Sequence, residues 1–399
     1  MILLSLFCVF LIKKKFGLYS VELIVLFVFF LYGFSFEIDH YLFGMRELGI
    51  PGLTSLEYDS STYDIIKLLY LSFIVGYTAV IMGGKSMIRS SVNRYNRIFH
   101  NILLMSWSVS LFYLATNLYG LHRLEKISYI AGVKYFHYFA MIGCFYSVGV
   151  LWVYTTAGTL NNLEKLLLAM VLFYGLMDGG REIFMYVFLG LLPYLKKNQR
   201  ALLMLVLTVL IGVMLSLWKP LTAAISAGVK WDELYNLVIL QGQFSFSGLD
   251  PKPSLLLLSE YINGSELFSG MKGSYVFNML GQIGSAFGLI DYTSLARTIM
   301  TRVDQTAAAG GSGLAFSGIL ESMLNFSIFG PFLLGIILAT AIRLSRSNMN
   351  VNMLYIYISI IALKLVRTEL MVVLKLYILP ILVCVALFAL KKNNKHEIR

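Results

Sequence analysis

The feature that most constrains this chain is the recurrence, along nearly its whole length, of apolar runs long enough to cross a bilayer. About 20 apolar helical residues span the ~30 Å of hydrocarbon. Runs of this kind include VELIVLFVFFLYGFSF, LLYLSFIVGYTAVIMGG and LMVVLKLYILPILVCVALFAL. Hydrophobic residues make up 58% of the chain and charged residues only 13%, where a soluble domain carries about a quarter charged. Mean hydropathy is +0.77. A transmembrane barrel would instead show short segments of alternating polarity. The composition therefore points to an all-α polytopic integral membrane protein. The first run, ILLSLFCVFLI, leads straight into Lys13-Lys14-Lys15, the reverse of the order in a cleavable signal peptide.

About eleven crossings can be read. They lie near 1–12, 17–36, 65–83, 98–119, 135–158, 163–177, 183–195, 201–218, 314–342, 350–366 and 370–390. The net charge of +11 then has a topological explanation, because Lys and Arg collect on the cytoplasmic side; it calls for no nucleic acid. Lys13–Lys15, the group Lys85, Arg89, Arg94 and Arg97, then Lys165, the group Lys196, Lys197 and Arg200, the pair Arg343 and Arg346, and the tail KKNNKHEIR fall on alternate connections. Only Glu22, Glu164 and Glu397 share that side. The N-terminus is expected outside and the C-terminus inside. Three regions follow: an N-terminal bundle of about eight helices over 1–218, a large outer loop over 219–313, and the C-terminal spans and tail over 314–399. Within the loop, LYNLVIL and SLLLLSEYI are too short to cross, and KGSYVFNMLGQIGSAFGLID is too polar. These read as amphipathic or re-entrant pieces. No internal repeat of the transporter kind is visible.

The charged residues within this apolar chain carry the functional information. LMDGGREIF, residues 176–184, sets Asp178, Arg181 and Glu182 around two glycines between two short apolar runs. It reads either as an interfacial turn with a local ion pair or as an arginine presented to an anion in an outward cavity. ARTIMTRVDQTAAAGGSG supplies Arg297 and Arg302 ahead of Gly310, Gly311 and Gly313. The guanidinium fork suits phosphate because it bonds two oxygens at once and keeps its charge. Glycine backbone and a helix N-terminus can add N–H donors; a simple hinge is the competing reading. Glu321 lies about two turns inside the ninth run, and an ionisable group there is a functional hypothesis by default. It could orient an arginine or accept a proton from an attacking hydroxyl. LKLVRTELMVVLK places Lys364, Arg367, Glu369 and Lys375 around a late turn; snorkelling to the interface accounts for the two lysines. The histidines His40, His122 and His137 form no metal-ligand set, and the chain has no DxD-type pair or GxSxG elbow. Cys8, Cys144 and Cys384 are far apart inside apolar runs and read as buried thiols. No metal or cofactor is expected.

With these residues in view, the C-terminal third resembles the Wzy-type O-antigen polymerases, the oligosaccharide repeat-unit polymerases. The resemblance rests on GSGLAFSGILESMLNFSIFGPFLLGIILATAIR followed by LKLVRTEL. In that family a glycine-rich approach leads into a span with a glutamate and then an Asn-Phe-Gly-like step. Glu321, Asn325 and Phe326 match it, with Ser327 where the pattern has glycine. Arg367 matches a late arginine, and Gly180-Arg181 matches an upstream outer-turn arginine after small residues.

The resemblance implies a GT-C-like membrane glycosyltransferase at the periplasmic face of the bacterial inner membrane. Its donor would be a growing glycan on undecaprenyl pyrophosphate, and its acceptor a repeat unit on the same carrier. Arg181, Arg297, Arg302 and Arg367 would then hold pyrophosphate, with Arg181 also stabilising charge in the reaction. Glu321 would be the base or an arginine orienter, and His122 an alternative base. A chain-length-regulating copolymerase is an implied partner. The competing readings are an O-antigen ligase and a non-enzymatic flippase of lipid-linked oligosaccharide. A flippase should carry charges along a path through the bilayer, whereas these charges gather at one face.

Overall fold

A computed structural model describes residues 1–18, 20–50, 52–83, 97–119, 121, 123–157, 160–178, 181–197, 251–271, 281, 294–305, 316–347, 352–368 and 370–390. Apart from a two-stranded antiparallel pair, β1 (Glu47–Leu48) and β2 (Leu56–Glu57), its regular structure is helical. The helices are α1 (Ile2–Phe16), α2 (Val21–Phe43), α3 (Ser61–Met82), α4 (Arg97–Leu118), α5 (Arg123–Gly132), α6 (Lys134–Ala157), α7 (Asn162–Asp178), α8 (Arg181–Lys197), α9 (Pro251–Ile262), α10 (Leu295–Val303), α11 (Gly318–Phe326), α12 (Gly330–Ser347), α13 (Asn352–Lys364) and α14 (Leu370–Leu390). Among the described residues, five stretches are long and apolar enough to cross a membrane. They are Val21–Phe43, Ser61–Met82, Phe99–Leu118, Lys134–Trp152 and Gly318–Arg346. Only 33% to 61% of each such window is buried inside the protein. The remaining apolar surface needs a solvent other than water; Leu3 is 82% exposed and Phe329 71%. This is a polytopic membrane protein. The expected crossing at 201–218 lies outside the described residues.

The chain divides into two compact units that interleave in sequence. The first comprises Met1–Ser86, Phe244–Leu344 and Ile358–Ile378; the second comprises Met87–Gln243, Ser345–Tyr357 and Leu379–Arg399.

In the first unit α1, α2 and α3 pack on one another. Ser20 and Ser60 cap α2 and α3 by accepting hydrogen bonds from the amides of Leu23 and Tyr63, each at 3.3 Å. These bonds satisfy N–H groups that a helix start leaves without intrahelical partners. The β1–β2 ribbon buries Leu48 against its cross-strand partner Leu56 and turns Glu47 and Glu57 outward. Two charged residues of α3 meet one of α2: Lys67 Nζ lies 3.5 Å from Glu37 and 2.8 Å from Asp64, with the Tyr63 ring 4.7 Å from the ammonium. Such partners offset part of the cost of burying an ammonium in an apolar helix.

The segment SLLLLSEYI forms α9, and the structure explains why so short an apolar helix forms. Residues 254–260 are all buried, among α2, α3 and α11. A helix that is apolar on all sides is stable only when covered on all sides. Glu260 accepts a hydrogen bond from the Thr54 amide, and Thr62 Oγ1 donates to Asn263 Oδ1 at 2.9 Å. These bonds fasten α9 to the α2–α3 connection.

The ninth run departs from expectation. The apolar run predicts one helix across 314–342, but the helix breaks after Phe326. Asn325 Nδ2 donates to the Glu321 carbonyl at 2.7 Å, the Ser327 amide turns back to Met323 O, and Ser327 takes φ 53°, ψ −147°. A 3₁₀ turn over Ser327–Phe329 follows. Gly330 then packs directly against the Ser322 carbonyl, where a Cβ would have no room. In a straight helix, residues eight apart are about 12 Å apart along the axis. The chain has therefore folded sharply between α11 and α12. Glu321 belongs to the first turn of the nine-residue α11, nearer a helix start than the two turns that the sequence implies. The α12 helix packs closely on α3, with Gly335 against Phe73 and Gly76 against Phe332.

In the second unit α4 packs on α7 and α6, and α6 on α8. A buried polar chain ties three of these helices. His100 Nε2 lies 3.3 Å from Glu164 Oε1, and Tyr146 Oη lies 3.0 Å from His100 Nδ1. The Asn161 amide donates to Glu164 Oε2 and the Glu164 amide donates to Asn161 Oδ1, both at 2.8 Å. That reciprocal pair is a capping box opening α7.

Candidate functional site

The site is built around the N-terminus of α11, in the first unit. Ser317 caps α11, its Oγ accepting from the Leu320 amide at 3.3 Å. The Tyr70 hydroxyl of α3, fully buried, faces the Ser317 side chain. The Gly318 amide, an N–H that the helix start leaves without an intrahelical partner, donates to Leu365 O at 2.6 Å. Leu365 follows the last residue of α13. A Cβ on Gly318 would meet that carbonyl at 3.0 Å and the Leu365 Cβ at 3.3 Å, so a side chain here would press the two backbones apart by a few tenths of an ångström.

This junction joins two of the three clusters that were distant in sequence. Glu321 lies about 4.5 Å farther along the α11 axis than Gly318 and is only 2% exposed. Ser317 and Glu321 stand at i, i+4 spacing, on one face of the helix. On the other side of the junction, Lys364 precedes Leu365 and Arg367 follows two residues later. The amides of Arg367 and Thr368 both donate to Lys364 O at 3.1 Å, closing α13 with a tight turn that holds this backbone. Lys364 is not snorkelling. It is 6% exposed, with its ammonium 5.6 Å from the centre of the Tyr377 ring. Arg367 is half-buried.

The arginines of α10 differ in setting. Leu295 and Ile299 are buried, while Arg297 and Arg302 are exposed. Arg302 Nη1 donates to Leu267 O at 2.6 Å and to Ser269 O at 3.1 Å, so part of its fork fastens α10 to the turn over Glu266–Phe268. Gly310, Gly311 and Gly313 lie outside the described residues, as does Glu369.

Arg181 and His122 belong to the second unit. The break between α7 and α8 falls where the two glycines lead one to expect it: α7 ends at Asp178 and Arg181 opens α8. Lys126 of α5 donates to Met177 O at 3.0 Å and fixes the end of α7. Gly179, Gly180 and the side chain of Arg181 lie outside the described part, as does His122. Among the described residues no group of three or more His, Cys, Asp or Glu is placed to hold a metal ion. Cys8, Cys144 and Cys384 are all buried, and none of them forms a disulfide.

Sequence reasoning missed three features. Lys67 with Glu37 and Asp64 was signalled only by the i, i+3 pair Asp64/Lys67 in an apolar run. Tyr70 gave no signal, since one tyrosine in a span reads as packing. The burial of Lys364 was hidden by its place near a helix end.

A helical, polytopic membrane protein in which the helix carrying a buried carboxylate is bonded at its start to a turn carrying a lysine and an arginine is thus the class defined by fold and site. Residues 268–395 match the family O-antigen polysaccharide polymerase Wzy. This stretch contains α10 through α14 and so Glu321, Lys364 and Arg367, and the resemblance to the Wzy-type polymerases holds for it. The match supports a role in O-antigen polymerisation and a place in a bacterial membrane. Neither the curated proteins nor the solved structures contain a match to this chain.

Proposed function

We propose that this protein is a membrane glycosyltransferase that polymerises undecaprenyl-pyrophosphate-linked oligosaccharide repeat units into O-antigen or a related surface polysaccharide. The observation that carries this reading is the Gly318–Leu365 junction. It joins the start of the helix that carries the buried Glu321 to the turn that carries Lys364 and Arg367, inside the segment that matches the family. The reaction takes place at the periplasmic face of the inner membrane of a GT-C-like protein with about eleven crossings.

A hydroxyl of the acceptor sugar attacks the anomeric carbon of the donor. A new C–O bond forms there while the bond from that carbon to the pyrophosphate oxygen breaks. The electron pair leaves with the lipid pyrophosphate, and Glu321 takes the hydroxyl proton. The leaving group carries its own negative charge and needs cations more than a proton. Arg367, close to the junction, supplies one in a setting partly removed from water, where a charge acts more strongly. Arg297 and Arg302, exposed on α10, serve capture of the substrate. A chain-length-regulating copolymerase is the expected partner.

The test is stoichiometric. Purified protein given only lipid-pyrophosphate-linked repeat units should release one lipid pyrophosphate for each glycosidic bond formed. Release of lipid pyrophosphate without glycan growth would show hydrolysis and refute polymerisation.

A further inference from the structure

Helix α3 carries Tyr63, Tyr70 and Tyr77 at intervals of seven. Seven residues are close to two helical turns, so the three rings stand in one row. All three are 0% exposed. The outer two are accounted for by α2: Tyr63 Oη accepts from the Glu37 amide at 2.9 Å, and Tyr77 Oη donates to Glu22 O at 3.4 Å. The middle one differs. Gly33 of α2 lies against the root of the Tyr70 side chain, where a Cβ would come within 2.5 Å of Tyr70 Cβ and Cγ. Helix α2 thus makes room for this ring, while the hydroxyl faces Ser317, the cap of α11.

Packing alone would not choose a tyrosine here. Among the described residues no regular hydrogen bond reaches the Tyr70 hydroxyl, and buried polar groups are nearly always bonded. Phenylalanine would fill the same space without taking a hydroxyl out of water. The side chain that Tyr70 faces is itself enclosed: Ser317 is 0% exposed, and its Oγ accepts from the Leu320 amide at 3.3 Å. Glu321 follows Leu320 directly and stands one turn from Ser317 on the same face of α11.

We propose that Tyr70 is a positioning residue of the polymerase: its hydroxyl keeps Ser317 Oγ turned toward the Leu320 amide, and the first turn of α11, so held, keeps Glu321 at the angle that the reaction needs. The inference rests on the polymerase reading for the role of Glu321. Tyr70 touches no substrate and transfers no proton. Its effect reaches the chemistry through one cap and one turn of helix. Small displacements of a reacting group are costly in rate even when the change lies away from the chemistry.

The test uses full-length protein in detergent and compares the wild type with Tyr70→Phe, Ser317→Ala, the double variant and Tyr63→Phe. Tyr70→Phe should lower kcat about 10- to 100-fold with KM and unfolding temperature unchanged. Hydrogen exchange at the Leu320 amide, which needs no turnover, should quicken in the same variant. Adding Tyr70→Phe to Ser317→Ala should change kcat by less than about twofold, since the hydroxyl acts through the serine. Tyr63→Phe should show the reverse pattern: a lower unfolding temperature, because a bond to α2 is lost, and an unchanged kcat. A wild-type kcat in Tyr70→Phe overturns the proposal. So does a loss of rate that only follows a lowered unfolding temperature, or full additivity with Ser317→Ala. A wild type that makes no polymer, with Leu320 exchange still faster in Tyr70→Phe, would defeat the polymerase reading and sustain the link from Tyr70 to α11.

Discussion

Replacing Ser327 by glycine should stabilise this protein, and the reason lies in one backbone angle. Ser327 has φ 53° and ψ −147°, and it is the only non-glycine residue with positive φ among those described. A side chain in such a region costs about 1–3 kcal/mol. The Ser327 side chain is exposed, so little packing is lost with it. Glycine carries its own penalty, because it loses more freedom on folding, about 0.5–1 kcal/mol. The net gain should be about 0.5–2 kcal/mol. Ser327→Val should do the reverse, since β-branched residues tolerate positive φ least. Gly330→Ala should also destabilise, because the new methyl would fall on the Ser322 carbonyl. The assay is thermal unfolding in detergent at a fixed scan rate, with urea unfolding as a check. Ser327→Gly should raise the midpoint by a few degrees, as about 1 kcal/mol shifts a domain of this size class by roughly 2–4 °C. A glycine variant that melts earlier, or a valine variant that melts no earlier, would refute the folded-back geometry at α11–α12. The same argument gives the glycine of the family's Asn-Phe-Gly-like step a physical meaning: it supplies, without strain, the conformation that Ser327 is forced to adopt.

Further outcomes follow from other contacts. Gly318→Val should separate α11 from the α13–α14 turn, costing about 1–3 kcal/mol and lowering turnover by about 100-fold through displacement of Glu321; normal kinetics in this variant would detach the junction from catalysis. Arg181→Ala should abolish polymer formation while the protein still inserts, and Arg181→Lys should rescue poorly because one ammonium cannot copy the two-pronged guanidinium. Full rescue by lysine would remove the bidentate role. Glu164→Ala should lower stability by about 3 kcal/mol, since it leaves His100 without its carboxylate and the Asn161 amide without its cap; a loss under about 0.5 kcal/mol in thermal unfolding would show that the buried chain holds little.

Most of the helices were legible because one term dominates their placement. Leaving an apolar run of about 20 residues in water costs more than any local propensity can offset, so α2, α3, α4, α6 and α14 lie where hydropathy puts them. The helix break between Asp178 and Arg181 was equally plain, since two glycines interrupt both apolar runs. The break at Ser327 was not. Asn325 and Ser327 resemble ordinary polar intrusions, and their effect depends on Asn325 reaching back to Glu321 O, which is a matter of geometry. The burial of α9 was hidden for a related reason: SLLLLSEYI is too short to cross and has no polar face, so only its neighbours decide its environment. In the candidate site, Glu321 and Arg367 stood out by residue type, but the approach of their two segments depends on Gly318 meeting Leu365, more than forty positions away. A glycine in a glycine-rich stretch gives no hint of that partner. The lysines show the same limit. Position near a helix end suggested that Lys364 snorkels, whereas tertiary packing covers it.

The most direct test of the central claim is polymerisation by the purified protein in detergent, given only lipid-pyrophosphate-linked repeat units and read as a ladder on a gel. The account predicts a ladder with the wild type and its loss, by at least about 100-fold, in Glu321→Gln with the protein still folded. A wild type that makes no ladder but carries the same lipid across liposomes would contradict it and identify a transporter.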